Sequence, residues 1–337
     1  MPRAASEIVV DKFGGSVLRS PQDIAAAVAV VARQRNAGLR PVVVVSAFEG
    51  VTDTILGAAS ALLPDGGDWL REGGQGTALG GLARETDRAL ATGEALSAAL
   101  FALGLQAQGI PARSFSGAEA GIRTAAAHLG AEVRRVLSRP LRVALADGLV
   151  PVVAGFQGIG THGELTTLGR GGTDLSAVAL AVALRAARCE LFKDVGGVLE
   201  ADPHLVPGAR FLPTVDALQL ELLAVLGAEV VHPVAIRRAR RGRLRLVVRA
   251  MDDGAPQTVV QPSSAEEEGV LMLAVDRKER VARISLIGPA RMMPEVLPLP
   301  AHGEGAFDEG GLRVVWAEVP LASAAAAARA VHASLMS

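Results

Sequence analysis

The sequence predicts an α/β fold built on a mainly parallel sheet, followed by a small α+β unit. Short β-branched runs alternate with longer Ala/Leu-rich runs as far as about residue 250, and strands that are apolar at successive positions belong to sheets covered by helices on both faces. Beyond residue 268 the style changes to strand-like runs, a stretch rich in Pro and Gly, and one Ala-rich helix.

In order, Ile8–Val10 reads as a strand and Pro21–Arg35 as a helix. Pro41–Val45 has Val at four successive positions and reads as a buried strand. Thr52–Leu62 reads as a helix, residues 64–81, rich in Gly and Asp, as a loop or lid, and Glu85–Gln108 as one long helix or a broken pair. Ala112–Phe115 reads as a strand, Glu132–Ala146 as a helix and Val150–Ala154 as a strand. The helical run Leu175–Leu184 leads into the strand Cys189–Lys193. Residues 251–268 read as a linker, or as a terminal strand plus linker. Leu271–Val275, Val281–Ile287 and Val314–Val319 are strand-like, residues 289–311 are rich in Pro and Gly, and Ser323–Leu335 is helical. The expected domains are 1–250, a linker 251–268, and a unit at 269–337 of about 70 residues, marginal in size for folding alone.

With 337 residues, half of them hydrophobic, the chain can bury a sizeable core. Aromatic residues are 3% and Tyr is absent, so the core is aliphatic and no tyrosine can stack on a ligand or act as an acid. Lys plus Arg number 34 against 35 acids, which gives no global argument for nucleic acid or a membrane as partner. Arg237 to Arg249 holds seven arginines, but with neutral total charge and few aromatics for base stacking these read as a solvated basic face. The single Cys189 excludes an intrachain disulfide and a Cys-based zinc cluster, and reads as a core residue. The six histidines show no metal-ligand spacing such as HExxH, and His232 reads as structural. The N-terminus lacks the apolar stretch of a signal peptide, and no apolar run approaches the ~18–20 residues that span a bilayer, so the expected setting is soluble and cytoplasmic.

Residues 168–176, Leu-Gly-Arg-Gly-Gly-Thr-Asp-Leu-Ser, gather flexible backbone, a guanidinium, hydroxyls and a carboxylate just before a helix. Glycine N–H groups can approach a phosphate at the positive end of that helix, Arg170 can fork onto a carboxylate or phosphate, and Asp174 can orient a reacting group. A Gly-rich turn capped by Thr173 or Asp174 would read the same way. Lys12-Phe-Gly-Gly-Ser16 suits phosphate, without the spacing of a Walker A loop; a tight turn with a surface lysine is the alternative. Ser46 and Thr52 can donate to a carboxylate, or Thr52 can be a helix N-cap. Glu94, in Thr92-Gly-Glu94, can hold an amino group or stand as an exposed helix glutamate.

The order and spacing of these fragments fit one family. From Ile8 to about Arg249 the chain resembles the aspartate kinases of the amino acid kinase family, on Lys12-Phe-Gly-Gly-Ser-Val17, Ala91-Thr-Gly-Glu94, Ala154-Gly-Phe-Gln-Gly158 and Thr166-Thr-Leu-Gly-Arg-Gly-Gly-Thr-Asp174. Asp194-Val-x-Gly-Val198, Ala201-Asp-Pro203, Val206-Pro-Gly-Ala-Arg210 and Gly227-Ala-x-Val-Val-His-Pro233 extend the match. The resemblance implies a three-layer sandwich that transfers the γ-phosphoryl group of ATP, with Mg²⁺ carried by the nucleotide, to the side chain of L-aspartate. The product would be 4-phospho-L-aspartate, at the first step of aspartate-family amino acid biosynthesis, lysine included. It implies that Lys12 and Asp174 serve catalysis and that Ser46, Thr52, Glu94 and Arg170 form the aspartate pocket. Gly14, Gly15, Ser16, Gly171, Gly172, Lys193, Asp194, Leu199, His204 and Glu229 would lie on the nucleotide side. No protein nucleophile and no resident metal site are implied.

Departures from the family pattern cluster on the nucleotide side. Lys193 stands where the family usually has Thr, Leu199 near an expected aromatic residue, His204 where Asp-Pro-Arg would end, and Glu229 where a lysine is expected. At an effective dielectric near 20, a unit charge pair at ~4 Å is worth ~4 kcal/mol, so a cation replaced by an anion beside triphosphate matters. Three readings fit: an aspartate kinase with a modified ATP pocket, an enzyme using another donor or amino acid, and a non-catalytic homologue that binds an amino acid and acts through a partner. Aspartate kinases commonly end in two tandem ACT modules. Val281–Gly288 resembles the first strand and turn of one, and Val314–Leu335 a closing strand and helix. There is length for one shortened ACT-like unit, whose implied role is to form a homodimer.

Overall fold

A run of β-branched residues without a polar break belongs in a strand covered on both sides, and Val42 to Val45 are all fully buried there. The computed structural model describes residues 7–63, 80–228, 230–262 and 270–336. They fall into two compact units: Met1–Asp194 with Arg249–Ala255, and Val195–Val248 with Pro256–Ser337. The loop expected at 64–81 lies largely outside the described residues; in the stretch expected as a linker at 251–268, Gln257–Gln261 is a strand and residues 263–268 lie outside the described residues.

The first unit runs β1 (Ile8–Phe13), α1 (Ile24–Asn36), β2 (Arg40–Val45), α2 (Val51–Ala61), α3 (Gly80–Ala107), β3 (Ala112–Phe115), β4 (Ile122–Thr124), β5 (Val133–Val136), α4 (Arg139–Ala146), β6 (Val150–Ala154), β7 (Gln157–Ile159), β8 (Leu165–Thr167), α5 (Gly172–Leu184) and β9 (Arg188–Phe192). Strands order as β9-β1-β2-β6-β3 with every pair parallel, as the sequence predicts. Side chains alternate across the sheet. Phe13, Val43, Val45, Val152 and Phe192 share one core with Val28 and Val31 of α1 and Phe101 and Leu105 of α3. Phe13 stacks on Phe192 with ring centroids 4.6 Å apart. Fully burying each such side chain stabilises the fold by roughly 1.5–3 kcal/mol. Lys12 and Cys189 occupy intervening positions and face the other layer, α5. Cys189 is buried, and burial with nearby Asp11, Asp174 and Glu190 pushes its thiol well up.

Several boundaries differ from expectation. Glu132–Ala146 is not one helix: Val133–Val136 pairs antiparallel with β4, and α4 begins at Arg139 with Pro140 in its first turn, where proline fits. β1 extends to Phe13, so Lys12 lies inside the strand, and β9 stops at Phe192. A second small sheet, β5-β4-β7-β8, adds short strands whose length gave little periodic signal. Gly81–Ala107 within α3 has a window of mean hydropathy 1.3, long and apolar enough to cross a membrane, contrary to the sequence expectation. Half of that window is buried inside the protein, and the same helix carries Asp87 and Glu94 inward.

The second unit comprises β10 (Val198–Leu199), β11 (Phe211–Leu212), β12 (Thr214–Asp216), α6 (Ala217–Val225), α7 (Pro233–Arg241), β13 (Leu246–Arg249, its last residue in the first unit), β14 (Gln257–Gln261), β15 (Met272–Arg277), β16 (Val281–Pro289), β17 (Gly303–Glu309), β18 (Leu312–Pro320) and α8 (Ala324–Leu335). β15-β16-β18-β17 is antiparallel, and α8 covers it through Ala328 and Val331 on Ile284, Leu286 and Val315. β17 falls in the stretch read only as Pro/Gly-rich. Arg237 and Arg240 both reach Glu221, at 2.6 and 3.1 Å, which accounts for two members of the arginine run.

Candidate active site

Open parallel sheets present ligands at the carboxyl ends of their strands, and the chemistry-bearing residues of the first unit gather there. Lys12 comes from the end of β1, Ser46 and Ala47 follow β2, Phe156 follows β6, Lys193 follows β9, and Asp174 lies in the first turn of α5. Lys12 Nζ is 2.7 Å from Asp174 Oδ1, and both side chains are 6% exposed. This contact is an ion pair rather than an aligned hydrogen bond. Lys193 Nζ donates to Asp174 Oδ2 at 3.2 Å. Burial alone would raise the Asp174 carboxyl, but the two ammonium groups outweigh it and hold the group well below its ordinary range. Burial lowers Lys12, opposed by Asp174 and reinforced by Lys193. Lys12 is thus no surface lysine: it folds over Gly14, where an added Cβ would meet Nζ at 2.8 Å.

The turn before α5 is not capped by a side chain. Gly171, at φ +70°, is the N-cap, while Thr173 and Asp174 lie inside the first turn. Their burial leaves Asp174 free for the lysines and leaves the helix end without a side-chain cap, the arrangement that suits an anion. Thr52 is likewise not a cap; Gly50 fills that place.

Glu94 is 3% exposed, not a surface glutamate. Its Oε1 accepts from the Ala47 N–H at 3.1 Å, and its Oε2 has no partner among the described residues. Burial pushes its carboxyl up to about 7, against the lowering bonds from the backbone. Gly93 permits this approach, because a Cβ there would lie 2.8 Å from Ala47 Cβ. A cleft of 610 Å³ opens between α2 and the segment around Arg170, lined by Thr52, Asp53, Leu90, Leu129, Phe156, Thr167, Gly169 and Arg170 among others. Phe156 is held at φ +64°, and its N–H donates to the Ser176 hydroxyl. Sequence reasoning quoted Phe156 within a motif but gave it no role; its positive φ leaves no mark in composition.

Ser46 is half-buried, its N–H bonded to the Phe13 carbonyl. Gly14 and Gly15 follow Lys12 just past the end of β1, and Gly171 and Gly172 precede Asp174 at the start of α5; Ser16 and Asp194 are exposed. Leu199, half-buried, and His204, exposed, belong to the second unit, where the His204 N–H donates to Asp202. Glu229 lies outside the described residues. Among the described residues no three His, Cys, Asp or Glu side chains are grouped as a metal site.

Comparison with known proteins gives the same direction. Residues 7–250 match the amino acid kinase family. The chain is 34% identical to Aspartokinase 2 of Bacillus subtilis over 281 residues, 83% of this chain and 65% of that protein. It is 38% identical to an aspartokinase of Thermus thermophilus over 282 residues, again 83% and 65%. The matched part therefore spans just under two thirds of these relatives' length. The fold is similar to that of E. coli aspartokinase III in complex with aspartate and ADP, with a TM-score of 0.77 at 20% identity, covering 98% of this chain and 100% of that one. The chain belongs to the amino acid kinase family, and within it stands with the aspartokinases.

Proposed function

We propose that the chain transfers the γ-phosphoryl group of ATP to the side-chain carboxylate of L-aspartate. The observation that carries this reading is the buried Asp174 carboxylate shared by Lys12 and Lys193 at the strand ends. An aspartate carboxylate oxygen forms the new O–P bond as the bond from phosphorus to the β,γ-bridging oxygen breaks, and ADP leaves with that oxygen. Lys12 neutralises charge on the transferred group, and Asp174 holds its ammonium in place. Glu94 Oε2 accepts from the substrate ammonium, Arg170 clamps a carboxylate, and Ser46 and Thr52 complete that pocket. The site's donors, ammonium groups and glycine N–H groups, suit phosphate, and Mg²⁺ would arrive on the nucleotide and neutralise part of its charge. Gly14, Gly15, Ser16, Gly171 and Gly172 cradle phosphates on this reading, with Asp194 on the nucleotide side. Residues 1–250 serve as the catalytic domain and 269–337 as a single ACT-like unit through which two copies associate, in the cytoplasm.

The experiment is a coupled assay for ADP release. Release that depends on L-aspartate, and not on L-glutamate or UMP, is expected; ATP-stable protein that binds aspartate without turnover would sink the catalytic reading. A strictly monomeric mass in solution would remove the dimer.

A further inference from the structure

Asp87 is a wholly buried carboxylate that the chemistry above does not use. It stands on α3 less than one turn before Leu90, which lines the cleft. Its Oδ1 accepts from the Thr167 hydroxyl and from the Leu129 N–H, the latter at 3.1 Å, and its Oδ2 meets His128 Nδ1 at 2.6 Å. Leu129 and Thr167 also line the cleft. The Thr167 carbonyl accepts in turn from the N–H groups of Gly130 and Ala131, at 3.1 and 2.8 Å. One carboxylate therefore ties together α3, the turn at 128–130 and the end of β8.

That turn presses on the residue before Arg170. Gly169 has φ +74°, and a Cβ there would lie 3.3 Å from Gly130 Cα and 3.7 Å from the Leu129 carbonyl oxygen. Leu129 itself is held at φ +58°, a conformation that a branched side chain adopts only where its surroundings enforce it; the N–H bond to Asp87 does so. Burial pushes the Asp87 carboxyl up, opposed by the bonds from Thr167, His128 and Leu129. Apolar packing would join these segments at lower cost, but only directed bonds fix their orientation. The outer nitrogen of His128 lies 3.4 Å from Glu164 Oε2, and Glu164 also faces Arg84 at 3.7 Å.

We propose that Asp87 and His128 are positioning residues for Arg170: they lock the 128–130 turn against Gly169 and so set where the guanidinium meets the carboxylate of an acidic amino acid. This rests on the aspartate-kinase reading of the cleft. The full chain is compared with His128→Ala, His128→Asn and Asp87→Asn by melting temperature, calorimetric titration of L-aspartate, and ADP release. His128→Ala is expected to raise both the aspartate Kd and KM about tenfold, with kcat at saturating aspartate and KM for ATP within about twofold. His128→Asn, whose side-chain N–H can stand in for Nδ1, recovers most of the affinity. An unchanged aspartate KM in folded His128→Ala overturns the proposal, as does a fall in kcat and melting temperature with affinity kept. Should Asp87→Asn not fold, the two His128 variants decide. A parent that binds aspartate without releasing ADP, with binding weakened in His128→Ala, overturns the kinase reading and supports the positioning one. A parent that binds no aspartate overturns both.

Discussion

Lys193 shares the Asp174 carboxylate with Lys12, reaching Oδ2 at 3.2 Å while Lys12 reaches Oδ1 at 2.7 Å. Two ammonium groups on one carboxylate leave an excess positive charge at the strand ends, which favours an arriving polyanion. Lys12→Met is expected to lower kcat by about 10²–10³, the usual effect of removing one preorganised charge from a transfer site. Lys193→Met leaves Lys12 paired and should cost about tenfold, seen mainly in kcat. Initial rates of aspartate-dependent ADP release check both; parental kcat in Lys193→Met would reduce Lys193 to a packing role.

Glu94 titrates near neutrality because burial pushes its carboxyl up to about 7. Only the ionised form attracts an ammonium, so aspartate binding should strengthen from about pH 6 to pH 8 and then level off. Glu94→Gln should bind about tenfold or more weakly and lose this pH dependence. Stability moves oppositely. A raised folded pKa contributes stability that is full below the unfolded value, about 4.3, and is lost as pH rises through about 7. Calorimetric titrations and melting curves across this range read the two effects separately.

Asp11 faces Glu190 across the β1–β9 register, wholly buried, with Gln34 donating to its Oδ1 at 3.0 Å and its Oδ2 without a partner among the described residues. Burial, then Glu190, pushes its carboxyl up to about 8, against the lowering influence of Gln34, Arg188 and Arg249. The contribution is again present at low pH and lost as pH rises through about 8. Asp11→Asn should melt close to the parent near pH 4, about the unfolded value of an aspartate, and several degrees above it at pH 9, at roughly 2–4 °C per kcal/mol for a unit of this size. Equal melting temperatures at both pH values would contradict this.

Gly93→Ala tests the close approach beneath Glu94. The new methyl would meet Ala47 Cβ at 2.8 Å, and Ala47 supplies the N–H that holds Glu94. Overpacking of this kind costs about 1–3 kcal/mol. A fall in aspartate affinity together with that stability loss is expected; chemical denaturation gives one and calorimetry the other.

The parallel sheet was legible because Val42–Val45 and Val150–Ala154 are apolar without interruption and Cys189–Phe192 is broken only by Glu190, a pattern tied to double coverage. The break in 132–146 was hidden: Val133 and Val136 carry a strand preference, but the adjacent Arg134 and Arg135 between them also fit a helix surface, and only pairing with β4 decides. Lys12, Glu94, Arg170 and Asp174 were readable as candidates because each sits beside glycines. Whether Lys193 faced inward was not, since that depends on where β9 ends. Asp87 and His128 stand 41 positions apart and meet only through the fold, so neither local pattern nor composition could pair them.

Cys189, the chain's one thiol, is sealed on the α5 side of β9, beside Val10 in the neighbouring strand. A water-borne alkylating agent can reach it only when the strands part. Once the agent is abundant enough that more of it changes nothing, the rate at which the thiol disappears equals the rate at which the first unit opens. The protein carries an internal clock for its own unfolding, with no added label and no tyrosine fluorescence needed to read it.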